Sequence, residues 1–182
     1  MSTIYMVRHG QASASFTDDL DPGLDELGRS QASKAAQQLI NNLPLVVLSS
    51  PLKRAQETAE ALSSLCNLPI SIENRVAEVP SPGLSLDERG PWLSAVMQGR
   101  WPDQSDDLKS WQQNMVSCLL DLEEDTVIFT HFVAINAIVT AAEGLDNVLA
   151  FRPGNCSITI LENTDNRLKI IKRGDESSTK VN

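Results

Sequence analysis

Short apolar runs alternate with amphipathic stretches along this chain, and that alternation restricts its fold more than any other feature. Ile4–Val7, Leu45–Leu48, Pro69–Ile72, Thr126–Phe129, Ser157–Leu161 and Leu168–Ile171 read as strands, because they are short, rich in β-branched residues and bounded by turn formers. Helical patterns lie between them. Leu27, Ala32, Ala35, Ala36, Leu39 and Ile40 fall on one face of a helix that begins after Asp25, a natural N-cap. Pro51 suits the first position of a second helix, running through Ala55, Ala59 and Leu62 to Leu65. A third, Phe132 to Ala142, is apolar nearly all round and belongs in the interior. Such an order predicts an α/β fold, a three-layer α/β/α sandwich around a mostly parallel sheet. With 182 residues, 41% of them hydrophobic, the chain is expected to form one domain, 1–182.

The rhythm breaks between Val79 and Gln113. This stretch holds Pro80, Pro82, Pro91 and Pro102, all three tryptophans, and the acidic pairs Asp87-Glu88 and Asp106-Asp107. It reads as a cap insertion, 79–113, over the C-terminal edge of the strands, with Trp92, Trp101 and Trp111 packing a small satellite core. Asp175–Asn182 reads as a frayed tail.

Composition removes several function classes. A formal net charge of −9 argues against a nucleic-acid surface, which needs a basic stripe, and against binding to an anionic membrane. No apolar run approaches the roughly 20 residues of a membrane span, and no signal-peptide core precedes the first strand, so a cytoplasmic location is expected. Cys66, Cys118 and Cys156 are scattered, with no CxxC pair and no histidine nearby, which argues against disulfides and zinc. No metal and no cofactor are expected, and oligomeric state is left open. Cys156 is read as a buried, inert thiol.

Both histidines of the chain stand at strand ends. His9 follows Ile4–Val7 after Arg8, and His131 follows Thr126–Thr130. Ligands of open α/β sheets gather outside the carboxyl ends of their strands, so two imidazoles there point to a site rather than to a core.

In the order Val7-Arg8-His9-Gly10-Gln11, Leu24 through Leu27-Gly28 to Gln31-Ala32, Ser49-Ser50-Pro51-Leu52-Lys53-Arg54-Ala55-Gln56-Glu57-Thr58-Ala59, Glu78 after Arg75-Val76, His131 after its strand, and Pro153-Gly154-Asn155-Cys156-Ser157-Ile158, the chain resembles the histidine phosphatase superfamily, also called phosphoglycerate mutase-like. The resemblance extends over most of the sequence. It implies a metal-independent phosphomonoester hydrolase acting on a small phosphorylated substrate. His9 would be the phosphorylated nucleophile, Arg8 and Arg54 the phosphate clamp, and His131 a further phosphate donor and transition-state stabiliser. Glu78 would be the proton donor, with Asp87 and Glu88 as competing carboxylates.

Elementary chemistry supports the same division of labour. Phosphate monoesters hydrolyse so slowly that up to about 10²¹-fold acceleration is required, and a covalent intermediate divides that barrier. A neutral imidazole needs cations on the phosphoryl oxygens and an acid for the leaving group. Gln11 and Ser13 are candidate substrate contacts that equally suit ordering the loop. Phe132 stands where many members of the superfamily carry glycine, and is expected to narrow the pocket over an ordinary or strained backbone. The alternatives are a phosphoglycerate-mutase-like phosphotransferase, a protein phosphohistidine phosphatase, and a non-catalytic sensor of a phosphorylated ligand. Lys53 and Glu57 read as an exposed ion pair, and Arg29 as part of an exposed face.

Overall fold

The computed structural model describes residues 1–15 and 17–177. The strands are β1 (Ser2–Arg8), β2 (Val46–Ser49), β3 (Ile70–Ile72), β4 (Thr126–Thr130), β5 (Ile158–Thr164) and β6 (Arg167–Lys172), and the helices are α1 (Glu26–Leu39), α2 (Lys53–Cys66), α3 (Leu86–Gln98), α4 (Asp106–Leu120) and α5 (Phe132–Glu143). The sheet order is β3-β2-β4-β1-β5-β6. Its first four strands run parallel, and β5 and β6 close the far edge as an antiparallel hairpin.

Alternation along the central strands builds the three layers, since successive side chains of a strand point to opposite faces. Ile4, Met6 and Ile128 join Met115, Cys118 and Leu119 of α4 and Ala134, Ile135 and Ile138 of α5 in one core. Val7, Val127 and Phe129 face the other way, onto Ala36 and Leu39 of α1 and Ala59 and Leu62 of α2. The chain therefore leaves β1 toward one face of the sheet and leaves β4 toward the other. These two strands are neighbours, so a crevice opens where their C-terminal ends part.

Three local expectations are corrected. Leu27 is 52% exposed rather than buried. Gly28 takes the inward place at that turn, where even a methyl group would stand 2.1 Å from the carbonyl oxygen of Gln11. The second helix begins at Lys53, not at Pro51, because Leu52 is still extended and Asp21 Oδ1 accepts the N–H of Lys53 at 2.8 Å. Residues 175–177 are tethered rather than frayed: Gly154 N–H donates to the Asp175 carbonyl at 2.8 Å, and Arg152 N–H to Glu176 Oε1 at 2.7 Å. Ser178–Asn182 lie outside the described residues.

The stretch 79–113 contains α3, a 3₁₀ turn at Trp101–Asp103 and the first half of α4. A boundary after Gln113 cuts α4, whose later turns belong to the main core. Trp101 is buried, its Nε1 donating to Thr140 Oγ1 at 2.8 Å, and Trp92 and Trp111 pack on the same cluster with Val79, Leu93 and Phe132. The tryptophans thus form the expected satellite core. Among the described residues no helix is long and apolar enough to cross a membrane.

Candidate active site

The end of β1 is fixed from three directions. His9 N–H donates to the Thr130 carbonyl at 2.9 Å, extending the β1–β4 ladder by one residue, and Asn155 Nδ2 donates to the His9 carbonyl at 3.1 Å. Cys156 N–H reaches the Arg8 carbonyl at 2.9 Å. Gly10 then turns the chain against α1, so closely that a Cβ there would lie 2.5 Å from the Gly28 carbonyl oxygen. Its N–H donates to Thr58 Oγ1 on α2 at 3.0 Å.

The His9 ring is placed by its own loop. The 2.7 Å contact between Nδ1 and the Gly10 carbonyl makes Nδ1 the protonated nitrogen, since a carbonyl only accepts. Nε2 therefore carries a lone pair, and Arg54 Nε donates to it at 3.2 Å. Arg54 is the second residue of α2, in the first turn, where the positive end of the helix dipole favours an anion. Arg8 Nη1 donates to the Pro153 carbonyl at 2.9 Å, and its guanidinium stacks over the Phe132 ring at 5.2 Å.

His131 closes β4 and is the N-cap residue of α5. Its ring lies 5.2 Å from that of His9. Nε2 is 2.7 Å from Ser50 Oγ, which already accepts the N–H of Leu52 at 3.2 Å. The Ser50 hydroxyl still has its own proton to give, so it can donate to Nε2 and leave the ring proton on Nδ1. Nδ1 is buried without a hydrogen-bond partner among the described residues.

Glu78 completes the cluster from the segment after β3. Its carboxyl accepts from the N–H groups of Val79 at 2.9 Å, Ala134 at 3.1 Å and Val133 at 3.3 Å. It therefore caps α5 from outside the helix, in place of the side-chain cap that His131 does not provide.

Arg8, His9 and His131 are 0% exposed, Arg54 3% and Glu78 8%, so the groups meet out of bulk water. Burial, reinforced by the charges of Arg54 and Arg8, holds His9 well below the ordinary histidine range despite its bond to the Gly10 carbonyl. His131 is lowered in the same way, by burial and then by Arg54 and His9. Burial raises Glu78 above the usual carboxylate value, against the opposing pull of the Val79 N–H and of Arg54. It also lowers Arg8 to about 10. The result is two neutral imidazoles, two buried guanidiniums and one carboxyl biased toward its acid form.

Residues 4–176 match the family model of the histidine phosphatase superfamily, branch 1. The chain belongs to that superfamily. A glucosyl-3-phosphoglycerate phosphatase of Mycolicibacterium vanbaalenii is 42% identical over 79 residues, which cover 41% of this chain and about a third (35%) of the relative. A probable phosphoglycerate mutase of Erwinia tasmaniensis is 28% identical over 182 residues, covering 87% of this chain and 84% of its own. Among solved structures, mycobacterial glucosyl-3-phosphoglycerate phosphatase in complex with VO3 superposes with a TM-score of 0.74 at 26% identity, covering 93% of this chain and 97% of that one.

Within this member of the superfamily, the structure brings Arg8, His9, Arg54, Glu78 and His131 together. Gln11 is committed elsewhere: its N–H donates to Gln31 Oε1 at 2.8 Å and its side chain to Asp25 Oδ2 at 2.8 Å. Ser13 N–H donates to the Gly23 carbonyl at 2.9 Å, beside a bridge between Ala12 and Leu24. The backbones of both residues order the loop. Phe132 begins α5 as a normal helical residue, and its side chain, 1% exposed, lies beneath Arg8 and in the tryptophan cluster. Glu88 forms a capping box with Ser85 on the surface, which lowers its pKa, and Asp87 is exposed. Cys156 is pushed up to about 12 by burial, which suits an inert thiol. Glu57 is not simply part of an exposed pair. It accepts the N–H of Leu24 at 2.7 Å besides meeting Arg29 at 3.5 Å and Lys53 at 4.0 Å. No group of three His, Cys, Asp or Glu side chains that would hold a metal ion occurs among the described residues.

Ser50, Thr58 and Asn155 hold His131, Gly10 and His9 in roles that the sequence alone does not reveal. Each works through a single polar atom on a backbone or ring neighbour. That signal is visible only once residues 48 to 146 positions apart are adjacent, as the bonds from Gly10 to Thr58 and from Asn155 to His9 require.

Proposed function

We propose that this protein hydrolyses phosphate monoesters without a metal ion, through a phosphohistidine on His9. The observation that carries this reading is the lone pair of His9 Nε2, held by Arg54 Nε at 3.2 Å on a ring that burial keeps well below the ordinary histidine range. In the first half-reaction Nε2 forms a bond to phosphorus, the ester P–O bond breaks, and the leaving oxygen takes the proton of Glu78. In the second, water attacks phosphorus and gives a proton to the Glu78 carboxylate as the P–N bond breaks. Phosphate and a neutral His9 remain.

Arg8, Arg54 and the Nδ1–H of His131 take the phosphoryl oxygens, each charge-assisted hydrogen bond contributing about 1.5–3 kcal/mol. The incoming phosphoryl group displaces Arg54 from Nε2, so the guanidinium that holds the nucleophile in the resting site becomes a ligand of its target. The substrate is a small phosphorylated molecule, as the names of the similar proteins suggest. A cytoplasmic setting accompanies this reading, supported by three unpaired cysteines.

The test is hydrolysis of para-nitrophenyl phosphate in excess EDTA, comparing the protein with His9→Ala. The expected result is turnover that survives EDTA and falls by about 10⁴-fold or more in the variant, with acid-labile phosphate trapped only on the unmodified protein. Loss of activity in EDTA, or retained turnover in His9→Ala, would overturn the reading. Transfer of the phosphoryl group to another position of the substrate, in place of phosphate release, would instead identify a mutase.

A further inference from the structure

Glu78 lies outside every strand and helix. After β3 the backbone makes a 3₁₀ turn at Asn74–Val76 and is extended at Ala77 before it delivers the acid. Two ties hold this crossing to the sheet. The Ser49 carbonyl at the end of β2 accepts the Glu73 N–H at 2.9 Å, and the Val76 carbonyl accepts the hydroxyl proton of Thr130 Oγ1 at 2.6 Å. The second tie comes two residues before Glu78, whose carboxyl is then held by the Val133 and Ala134 N–H groups at the start of α5.

Thr130 ends β4 and is 0% exposed, its side chain on the same face as Ile128, which shares one core with Val76. Three parts of the site converge on it. Its carbonyl accepts the His9 N–H at 2.9 Å, its hydroxyl holds the chain that leads to Glu78, and the next residue is His131. The hydroxyl is separable from the rest. A valine would keep the branched shape, the strand and the carbonyl while losing the proton that Val76 accepts. A buried carbonyl that loses its donor is costly, so the backbone at Val76 would shift toward another partner. Two residues span at most about 7 Å, so little chain separates that shift from Glu78. Proton transfer requires the acid within about 2.6–3.2 Å of the leaving oxygen, and a displacement of about 1 Å is then large.

We propose that Thr130 is a positioning residue for the proton donor: through the Val76 carbonyl, its hydroxyl sets where Glu78 stands relative to the phosphorus that His9 attacks. One residue thereby keeps nucleophile and acid in a common frame, the first by its backbone and the second by its side chain. This inference rests on the phosphatase reading and deepens it.

The experiment measures kcat for para-nitrophenyl, phenyl and benzyl phosphate, whose leaving oxygens are increasingly basic and so increasingly need a proton. The proteins compared are the unmodified chain, Thr130→Val, Thr130→Ser, Glu78→Gln, and Thr130→Val combined with Glu78→Gln. Thr130→Val is expected to lose about 10- to 100-fold on benzyl phosphate but less than about threefold on para-nitrophenyl phosphate. Thr130→Ser, which keeps the hydroxyl, is expected to recover most of the loss. Adding Thr130→Val to Glu78→Gln is expected to cost nothing further, because the side chain acts only through the acid. An equal loss on all three substrates, or a further loss in the double variant, is what a purely structural role gives and overturns the inference. Unchanged benzyl phosphate turnover in Thr130→Val overturns it too, as does an unmodified protein that turns over para-nitrophenyl phosphate alone, where no acid is at work. Each of these outcomes leaves the phosphatase reading intact. Turnover of none of the three substrates overturns both.

Discussion

The two histidines end neighbouring parallel strands in matching register, yet their surroundings differ. His9 runs into a glycine turn that takes its Nδ1 proton onto the Gly10 carbonyl, and a guanidinium holds the free lone pair. His131 runs straight into a helix, and Ser50 from the next strand holds its Nε2, leaving Nδ1 to the pocket. On the proposed reading one ring gives electrons and the other gives a hydrogen bond. What separates them is the partner of Nδ1: both Nε2 atoms can accept, one from an arginine and one from a serine, but the Gly10 carbonyl takes the Nδ1 proton of His9, whereas Nδ1 of His131 has no hydrogen-bond partner among the described residues. Equivalent strand ends acquire opposite chemistry from their neighbours.

The largest effect that sharpens this contrast is expected on the acid beside His131. Glu78→Gln should lower kcat about 10²- to 10⁴-fold on an alkyl phosphate but far less on para-nitrophenyl phosphate, whose leaving oxygen needs no proton. The pH profile carries a sign as well. Glu78 has a raised pKa, so its proton is present at low pH and the rate falls as pH rises through that value. His9 has a depressed pKa, so its neutral form fails only well below the ordinary 6.5. The high-pH fall should vanish in Glu78→Gln while the low-pH limb remains. If the fall persists, the proton comes from another group.

A smaller effect separates the rings themselves. His131→Asn should reduce kcat about 10²- to 10³-fold, the cost of one donor to developing charge, yet still allow acid-labile phosphate to be trapped on His9. Loss of the phosphoenzyme in this variant would make His131 the acceptor and break the contrast. The smallest change is Ser50→Ala. It should cost about tenfold in kcat with little change in KM, and Ser50→Thr should restore most of it, because only the orientation of the His131 ring is released.

How much of this was legible in the sequence depends on how local each cause is. The runs at Ile4–Val7 and Thr126–Phe129 revealed both central strands because β-branched burial needs no partner to be recognised, and Asp25 capped α1 where it was expected to, accepting the Gly28 N–H at 2.7 Å. The five site residues came from motif resemblance, and the geometry unites them. What escaped was non-local. The start of α2 is set by Asp21, 32 residues earlier, and the inward place expected of Leu27 is taken by Gly28 because a backbone from the β1 turn passes too close for any side chain. Glu78 was legible as an acid but not as the cap of α5, since the helix it caps begins more than 50 residues later.

The bond from Asn155 to the His9 carbonyl spans 146 positions of the chain. Closing the site is therefore a long-range event, since the loop before β5 can seat His9 only once β5 has paired with β1. An opening that frees the β5–β6 edge would leave the whole Arg-His-Gly signature in place and take its seat away.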